Sequence, residues 1–455
     1  MGSGARSMIA PTLSSLAADL DAGRVTARSL VEDCLQKIAE PGGEGSATFI
    51  EIDGKTALAT ADKIDQLRRR EATPSALAGI PVSIKDLFDI EGQVTRAGST
   101  VLQECGPSRI DATSVARLRR AGLIFIGRTN MTEFAYSGLG INPHFGTPKC
   151  VYRRDIGYVP GGSSSGAAIS VSDGMAHAAL GSDTGGSCRI PAAYNGLVGF
   201  KPTQSRVPRD GMIPLSFSFD SVGCIGRTVD CCRRIDALVA EELYREHQVP
   251  ALRDVRLVVP KNVVRDDLDA VVSRHFDNAL ATLSKAGAKI VEQHISGLDE
   301  IAPLLKNGGF TASESYYWHR ELLKRGGEKY DPQVHWRIMR GEKMTAADYI
   351  ELVRGRFLLT KQITMCLSGY DALLAPTTAI AAPAIADVQN DPGFTNSNLL
   401  TLRNCTLINF IDGCAITLPG TASNHPPLGI MLAASSGSDH RLFQVAEAAE
   451  RALAH

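Results

Sequence analysis

The residues in this chain that could do chemistry gather in two glycine–serine loops and around one lysine. Gly161-Gly162-Ser163-Ser164-Ser165-Gly166 opens a run of small residues, and Asp183-Thr184-Gly185-Gly186-Ser187-Cys188-Arg189-Ile190-Pro191 follows it. Upstream, Lys85-Asp86 closes an apolar run. Serine and glycine at this density usually make flexible linkers. Asp183, Arg189 and Pro191, set among them, are not linker material. The mixture suits loops that present backbone N–H groups and hydroxyls at a reaction centre. A serine hydroxyl is a weak nucleophile at neutral pH and needs a base within hydrogen-bond reach.

Histidine is the usual base, and the chain has ten. His177 falls inside an apolar run, where a satisfied core histidine is the better reading, and His144 stands in a loop with no evident role. Gly162–Gly166 matches the Gly-x-Ser-x-Gly elbow centred on Ser164, but that turn needs a strand before it. Tyr158-Val159-Pro160 is poor strand material. The run also lacks the Gly-Lys-Ser/Thr ending of a phosphate-binding loop. Lysine is the remaining base. A lysine serves only once neutral, and burial lowers its pKa by disfavouring the charged form. Lys85, between Val82-Ser83-Ile84 and Leu87-Phe88, has apolar neighbours enough for that. Asp86 points to the opposite face if the strand continues. The plain alternative for such a pair at a strand end is a surface ion pair.

These residues need a scaffold. Helical spacing runs through 12–39, a short buried strand through 76–84, and a helix through 111–121 with Asp111 as N-cap. Strand-like 123–127 and a helix over about 130–138 follow. A helix over 164–174, packed by its small side chains, leads to a strand at 176–181 that runs into Asp183. A strand at 255–260 opens a mostly helical, more polar insert over about 265–368. Strands return at 371–375, 414–418 and 428–433, and a helix fills 438–453. Alternating strands and helices argue for an α/β protein, and the return of strands favours one continuous sheet over separate domains.

Composition narrows the classes. Hydrophobic residues make up 44% and charged ones 21%, ordinary for a globular protein. A formal net charge of −1 gives no reason to expect nucleic acid or a membrane surface as a direct partner. No apolar run approaches the roughly 20 residues that span a bilayer. The ten cysteines form no metal-ligand pattern. Apolar neighbours at Cys34, Cys224, Cys366, Cys405 and Cys414 suggest buried free thiols of a reducing compartment. Residues 1–7 read as an expression leader ahead of Met8. A cytoplasmic enzyme without metal or cofactor is the expectation.

Lys85-Asp86, Pro160-Gly161-Gly162-Ser163-Ser164 and the run Asp183–Pro191 together resemble the amidase signature family. Gly127–Phe134 and Gly196-Leu197-Val198-Gly199-Phe200-Lys201-Pro202-Thr203 extend the match over roughly 75–230, with the 24-residue offset from Ser163 to Ser187 that the family shows. The resemblance implies a single large α/β domain over 8–455, its central mixed sheet of about ten or more strands covered by helices on both faces. It implies a Ser–cis-Ser–Lys triad. Ser187 would be the nucleophile, and Ser163, its bond to Gly162 held cis, would bridge to Lys85 as base and later acid. Backbone N–H groups of Thr184, Gly185, Gly186 and Ser187 would form the oxyanion hole, with Asp183 and Arg189 as buttresses. Ser165 and Cys188 depart from the usual pattern. Cys188 reads as a packing residue.

The resemblance leaves the substrate open among small aliphatic, aromatic, fatty-acid, malonamide-like and carboxybiuret-like amides. It implies a free-standing amidase on a small-molecule amide, able to form a homodimer. The alternative is the glutaminase component of a tRNA-dependent amidotransferase complex. Candidate pocket residues are Met131, Tyr316, Tyr317 and Asp412, with Trp336 and Asn409 in the same regions. Asp412 more readily caps a turn.

Overall fold

Eleven strands pair in one mixed sheet in the order β1-β3-β2-β4-β6-β5-β10-β11-β9-β7-β8. They are β1 Phe49–Ile52, β2 Pro81–Lys85, β3 Ile124–Thr129, β4 Ala179–Asp183, β5 Val198–Lys201, β6 Ser221–Gly226, β7 Arg256–Pro260, β8 Lys289–Gln293, β9 Ala372–Pro376, β10 Cys414–Pro419 and β11 Gly429–Ala434. The computed structural model describes residues 11–420 and 426–454; the expected leader, residues 1–7, lies outside them. β2 runs parallel to β3 and β4, and β7 to β8 and β9. The central β4-β6-β5-β10-β11-β9 pairs are antiparallel.

Both faces of the sheet are covered because alternate side chains of one strand point to opposite sides. Leu257 and Val259 of β7, Leu374 of β9, and Ile430 and Leu432 of β11 join one hydrophobic core. Their neighbours Val258, Leu373, Ala375, Met431 and Ala433 join the other. The first core packs the helices Ala27–Ile38, Val229–Ala240 and Asp439–Leu453, and the second packs Ala346–Leu367 and Asp391–Phe410. Strands on both sides of the insert share the sheet, as the sequence pattern suggests.

Several elements differ from the sequence reading. Residues 12–39 form two helices, Leu13–Asp21 and Ala27–Ile38, because Thr12 and Thr26 each build a capping box and Gly23 turns left-handed between them. The strand expected at 76–84 starts only at Pro81, since Gly79 at φ 94° holds a turn. Asp111 does not cap the expected helix; its carboxylate accepts from the Glu91 N–H at 2.8 Å. Arg119 takes its carboxylate at 2.6 and 2.9 Å, and the helix Thr113–Arg120 starts behind Ala112. In place of the helix expected over 130–138 stands one short 3₁₀ turn, Glu133–Ala135, whose Phe134 and Ala135 are left-handed and so cannot continue into a right-handed α-helix. The insert is interrupted by β8, whose exposed Lys-Ile-Val-Glu-Gln hides an edge strand in polar sequence. Cys366 is only half-buried, on a helix with a solvent face, while Cys34, Cys224, Cys405 and Cys414 are buried.

Candidate active site

Lys85 is the last residue of β2 and is fully buried. Val82 and Ile84 face the first core, so Ser83 and Lys85 face the helix Ser165–Ser172, where Ser83 Oγ meets Ser170 Oγ at 2.8 Å. The Lys85 ammonium Nζ donates to Ser163 Oγ and to Ser182 Oγ, both at 2.8 Å. Burial pushes its pKa down from 10.5 to about 8. Asp86 turns to the other face. Its carboxylate accepts from Arg128 Nε at 2.6 Å and from the Gly98 N–H at 2.9 Å, and the Asp86 and Arg128 side chains are both buried. The pair is therefore not a surface ion pair, and the adjacent carboxylate is neutralised by Arg128 rather than by Lys85.

Ser163 follows a cis peptide bond from Gly162. A Cβ on Gly162 would stand 2.6 Å from the Gly140 nitrogen, so only glycine fits there. The Ser163 carbonyl accepts from the Thr132 N–H at 3.1 Å, which explains why 130–138 wraps as a loop. Ser187 lies 3% exposed in the turn between β4 and the helix Arg189–Tyr194. The Ser164 N–H donates to the Ser187 carbonyl at 3.3 Å, which ties the two serine loops together. Among the described residues no hydrogen bond joins the Ser163 and Ser187 hydroxyls directly. Ser164 itself is turned inward, its Oγ donating to the Ser182 carbonyl at 3.3 Å.

The turn carrying Ser187 is held from behind. Asp183 accepts from the Gly186 and Cys188 N–H groups at 2.8 and 3.0 Å and from Arg189 Nη2 and Nε at 2.8 and 3.1 Å. Burial alone would raise its pKa, but Arg189 holds it well below the usual carboxylate range. Arg189 also donates to Asn409 Oδ1 at 2.6 Å and to the Cys405 carbonyl at 3.2 Å. Asn409, grouped with the pocket candidates from sequence, is therefore part of this clamp. One correction concerns the N–H donors: that of Gly186 is spent on Asp183, which leaves Thr184, Gly185 and Ser187 as the candidates. Cys188 is fully buried against β4 and β6, its Sγ in the space that side chains at Gly181 and Gly223 would occupy.

Two contributors escaped the sequence reading. Ser182, the second partner of Lys85, stands as a lone hydroxyl in the buried strand Ala179–Asp183, and that oddity was its only signal. Asp220 accepts from Thr184 Oγ1 at 2.6 Å and from the Leu215 and Ser216 N–H groups at 2.9 and 3.0 Å. Burial pushes its pKa up to about 6. Its link to the Ser187 turn has no local mark, because Thr184 is distant in sequence.

The pocket candidates divide. Met131 is buried next to Thr132, and its carbonyl accepts from Asn142 Nδ2 at 2.7 Å. Tyr316 binds Glu342 through its hydroxyl at 3.1 Å, and Tyr317 and Trp336 are exposed. Asp412, at φ 53°, accepts from the Gln204 N–H at 2.9 Å and from Ser436 Oγ at 3.3 Å, so it fixes a turn. Tyr316 and Asp412 are thus committed elsewhere. Among the described residues no histidine hydrogen-bonds Lys85, Ser163 or Ser187. His144 Nε2 meets Glu133 Oε1 at 2.9 Å, and buried His177, pushed down to about 4 by burial, lacks a partner at Nδ1. His177 is thus a core histidine, though only partly satisfied.

A family model described as Amidase matches residues 29–443. The chain is 33% identical over 445 residues to a 2-amino-5-chloromuconic acid deaminase of Comamonas testosteroni, covering 96% of this chain and 94% of the relative. It is 31% identical over 471 residues to a glutamyl-tRNA(Gln) amidotransferase subunit of Symbiobacterium thermophilum, covering 95% of each. A crystal structure of an amidase superposes with a TM-score of 0.89 at 28% identity, covering 97% of this chain and all of the other.

Proposed function

The chain belongs to the amidase family, enzymes that hydrolyse amide C–N bonds, and from that premise we propose that it works through an acyl-enzyme on Ser187 with Lys85 as the base. The observation that carries this reading is a buried lysine whose pKa is lowered to about 8 and whose Nζ lies 2.8 Å from Ser163 Oγ. Neutral Lys85 accepts the Ser163 proton while Ser163 takes that of Ser187. Ser187 Oγ attacks the amide carbonyl. The oxyanion is held by the N–H groups of Thr184, Gly185 and Ser187, each such donor contributing about 3 kcal/mol. The proton returns along the same path to the leaving nitrogen, and water then releases the acyl group by the reverse relay. Ser182 supports Lys85 by holding the amine toward Ser163.

Similarity to a deaminase fits ammonia as the leaving group. Similarity to the amidotransferase component over almost the whole chain favours a second reading, in which the chain supplies ammonia inside an assembly. Ammonia release by the purified chain from a panel of primary amides tests both. Turnover by the chain alone, absent from Ser187→Ala, supports the free-standing amidase. Release from glutamine only when a partner protein is added supports the assembly.

A further inference from the structure

Three segments that leave the serine–lysine cluster meet again around one cavity of about 510 Å3. Asp220 lines it, and its carboxylate holds Thr184 of the nucleophile turn at 2.6 Å. Met212 lines it and pairs with Phe88, just beyond Lys85. Trp318 lines it with its ring centroid 6.1 Å from that of Phe134, close behind the Thr132 N–H that binds the Ser163 carbonyl. Each wall is thus anchored beside a different member of the candidate triad. Pro214 and Phe217 add apolar surface.

Arg209 is the cation among the described lining residues, and it is half-buried. Its Nη1 donates to the Phe217 carbonyl at 2.7 Å, a neutral acceptor, and no carboxylate of the described residues lies within ion-pairing distance of it. The contrast with Arg206, three residues earlier, is direct. That guanidinium is closed by Asp236 and Glu242, both at 2.8 Å. Asp220 feels the charge of Arg209, but Thr184, Leu215 and Ser216 take its oxygens and it makes no direct ion pair with the guanidinium. Asp210, at the rim, is exposed. A half-buried guanidinium with no direct ion-pair partner keeps its Nε–Nη2 edge for one, and that edge matches a carboxylate in bidentate geometry.

We propose that this cavity seats the remote end of the substrate and that Arg209 binds a carboxylate there, so the substrate class is an amide joined to a carboxylate through an apolar spacer. The proposal rests on the amide-hydrolysis reading above. The apolar spacer lies against Met212, Phe217 and Trp318, and the guanidinium orients it with the amide toward Ser187. Loss of Arg209 need not unfold the loop, because Gln204 Nε2 also donates to the Phe217 carbonyl, at 3.1 Å.

The test compares 4-carbamoylbenzoate with its methyl ester, and glutaramate with its methyl ester, by ammonia release. The wild-type chain is expected to favour the acids through KM. Arg209→Met raises KM for the acids on the order of a hundredfold and moves the esters less than about threefold, with Arg209→Lys between. Equal turnover of acids and esters by the wild type, or equal damage to both by Arg209→Met, overturns the carboxylate site while leaving amide hydrolysis intact. Absence of ammonia release from any amide overturns the underlying reading instead. Benzoate binding to Ser187→Ala by calorimetry, lost in Ser187→Ala/Arg209→Met, reads the site without turnover; binding unchanged by the second substitution sinks it.

Discussion

The Ser187 turn and the helical insert handle their polar side chains in opposite ways. Around Ser187, Asp183 and Arg189 are both fully buried and bind each other, Asn409 and the turn's own N–H groups. On the helix Gly309–Gly326 of the insert, Tyr317 is largely exposed and the half-buried Tyr316 gives its hydroxyl to Glu342. The same helix turns Glu314 and Trp318 inward. Glu314 accepts from Ser216 Oγ and Ser218 Oγ at 2.5 Å and from Tyr349 at 2.7 Å, and so pins the loop that carries Asp220. The candidate site is thus held by buried, mutually paired charges. The insert contributes through whichever residues its helical phase happens to bury.

The sharpest way to break this contrast is to remove the proposed nucleophile. Ser187→Ala is expected to lower kcat by about ten-thousandfold or more with an unchanged melting temperature, and Lys85→Met by about a hundred- to ten-thousandfold. Residual turnover within tenfold of wild type in either variant would remove that residue from the chemistry. Next comes the clamp. Asp183→Asn leaves Arg189 buried without its counter-charge and is expected to cost about 3–5 kcal/mol in denaturant unfolding; a cost below about 1 kcal/mol would show that the turn does not depend on it.

A pH profile sharpens the same contrast more gently. The base must be neutral, so kcat/KM should rise with pH to a plateau above about 8 and fall about tenfold per unit below it. Stability follows the same sign. Below about 8 both folded and unfolded chains carry a charged lysine, and the folded one bears the burial cost. Between about 8 and 10.5 the unfolded chain binds more protons, so the Lys85 contribution to stability increases with pH there. An activity optimum on the acid side would contradict the lysine base. The smallest effect belongs to the insert surface: Tyr317→Ala should change stability by less than about 0.5 kcal/mol and leave kcat unaltered.

What could be read from sequence depended on whether the signal was local. The glycine–serine loops declare themselves because a tight turn with several N–H groups facing one way needs glycine and small side chains at close spacing. The mixed sheet was legible where strands were apolar runs, as at β7, β9 and β11. It was not where β6 reads Ser-Val-Gly-Cys-Ile-Gly or where β8 lies polar at the edge. The loop at 130–138 misled because its helical pattern yields to a tertiary demand, the Thr132 N–H on the Ser163 carbonyl.

By itself the sequence determined the family, the α/β class and the order in which Lys85, Ser163 and Ser187 enter the chain. Residue type and spacing are preserved along the backbone whatever the fold does with them. Only the tertiary structure decided that Lys85 is buried beside Ser163 and Ser182 while Asp86 is given to Arg128. The same holds for Gly186, spent on Asp183, and for Asp220, brought under Thr184. Burial and pairing are relations between distant segments. They set the charge of a lysine and the freedom of an N–H, and no single stretch of chain contains them.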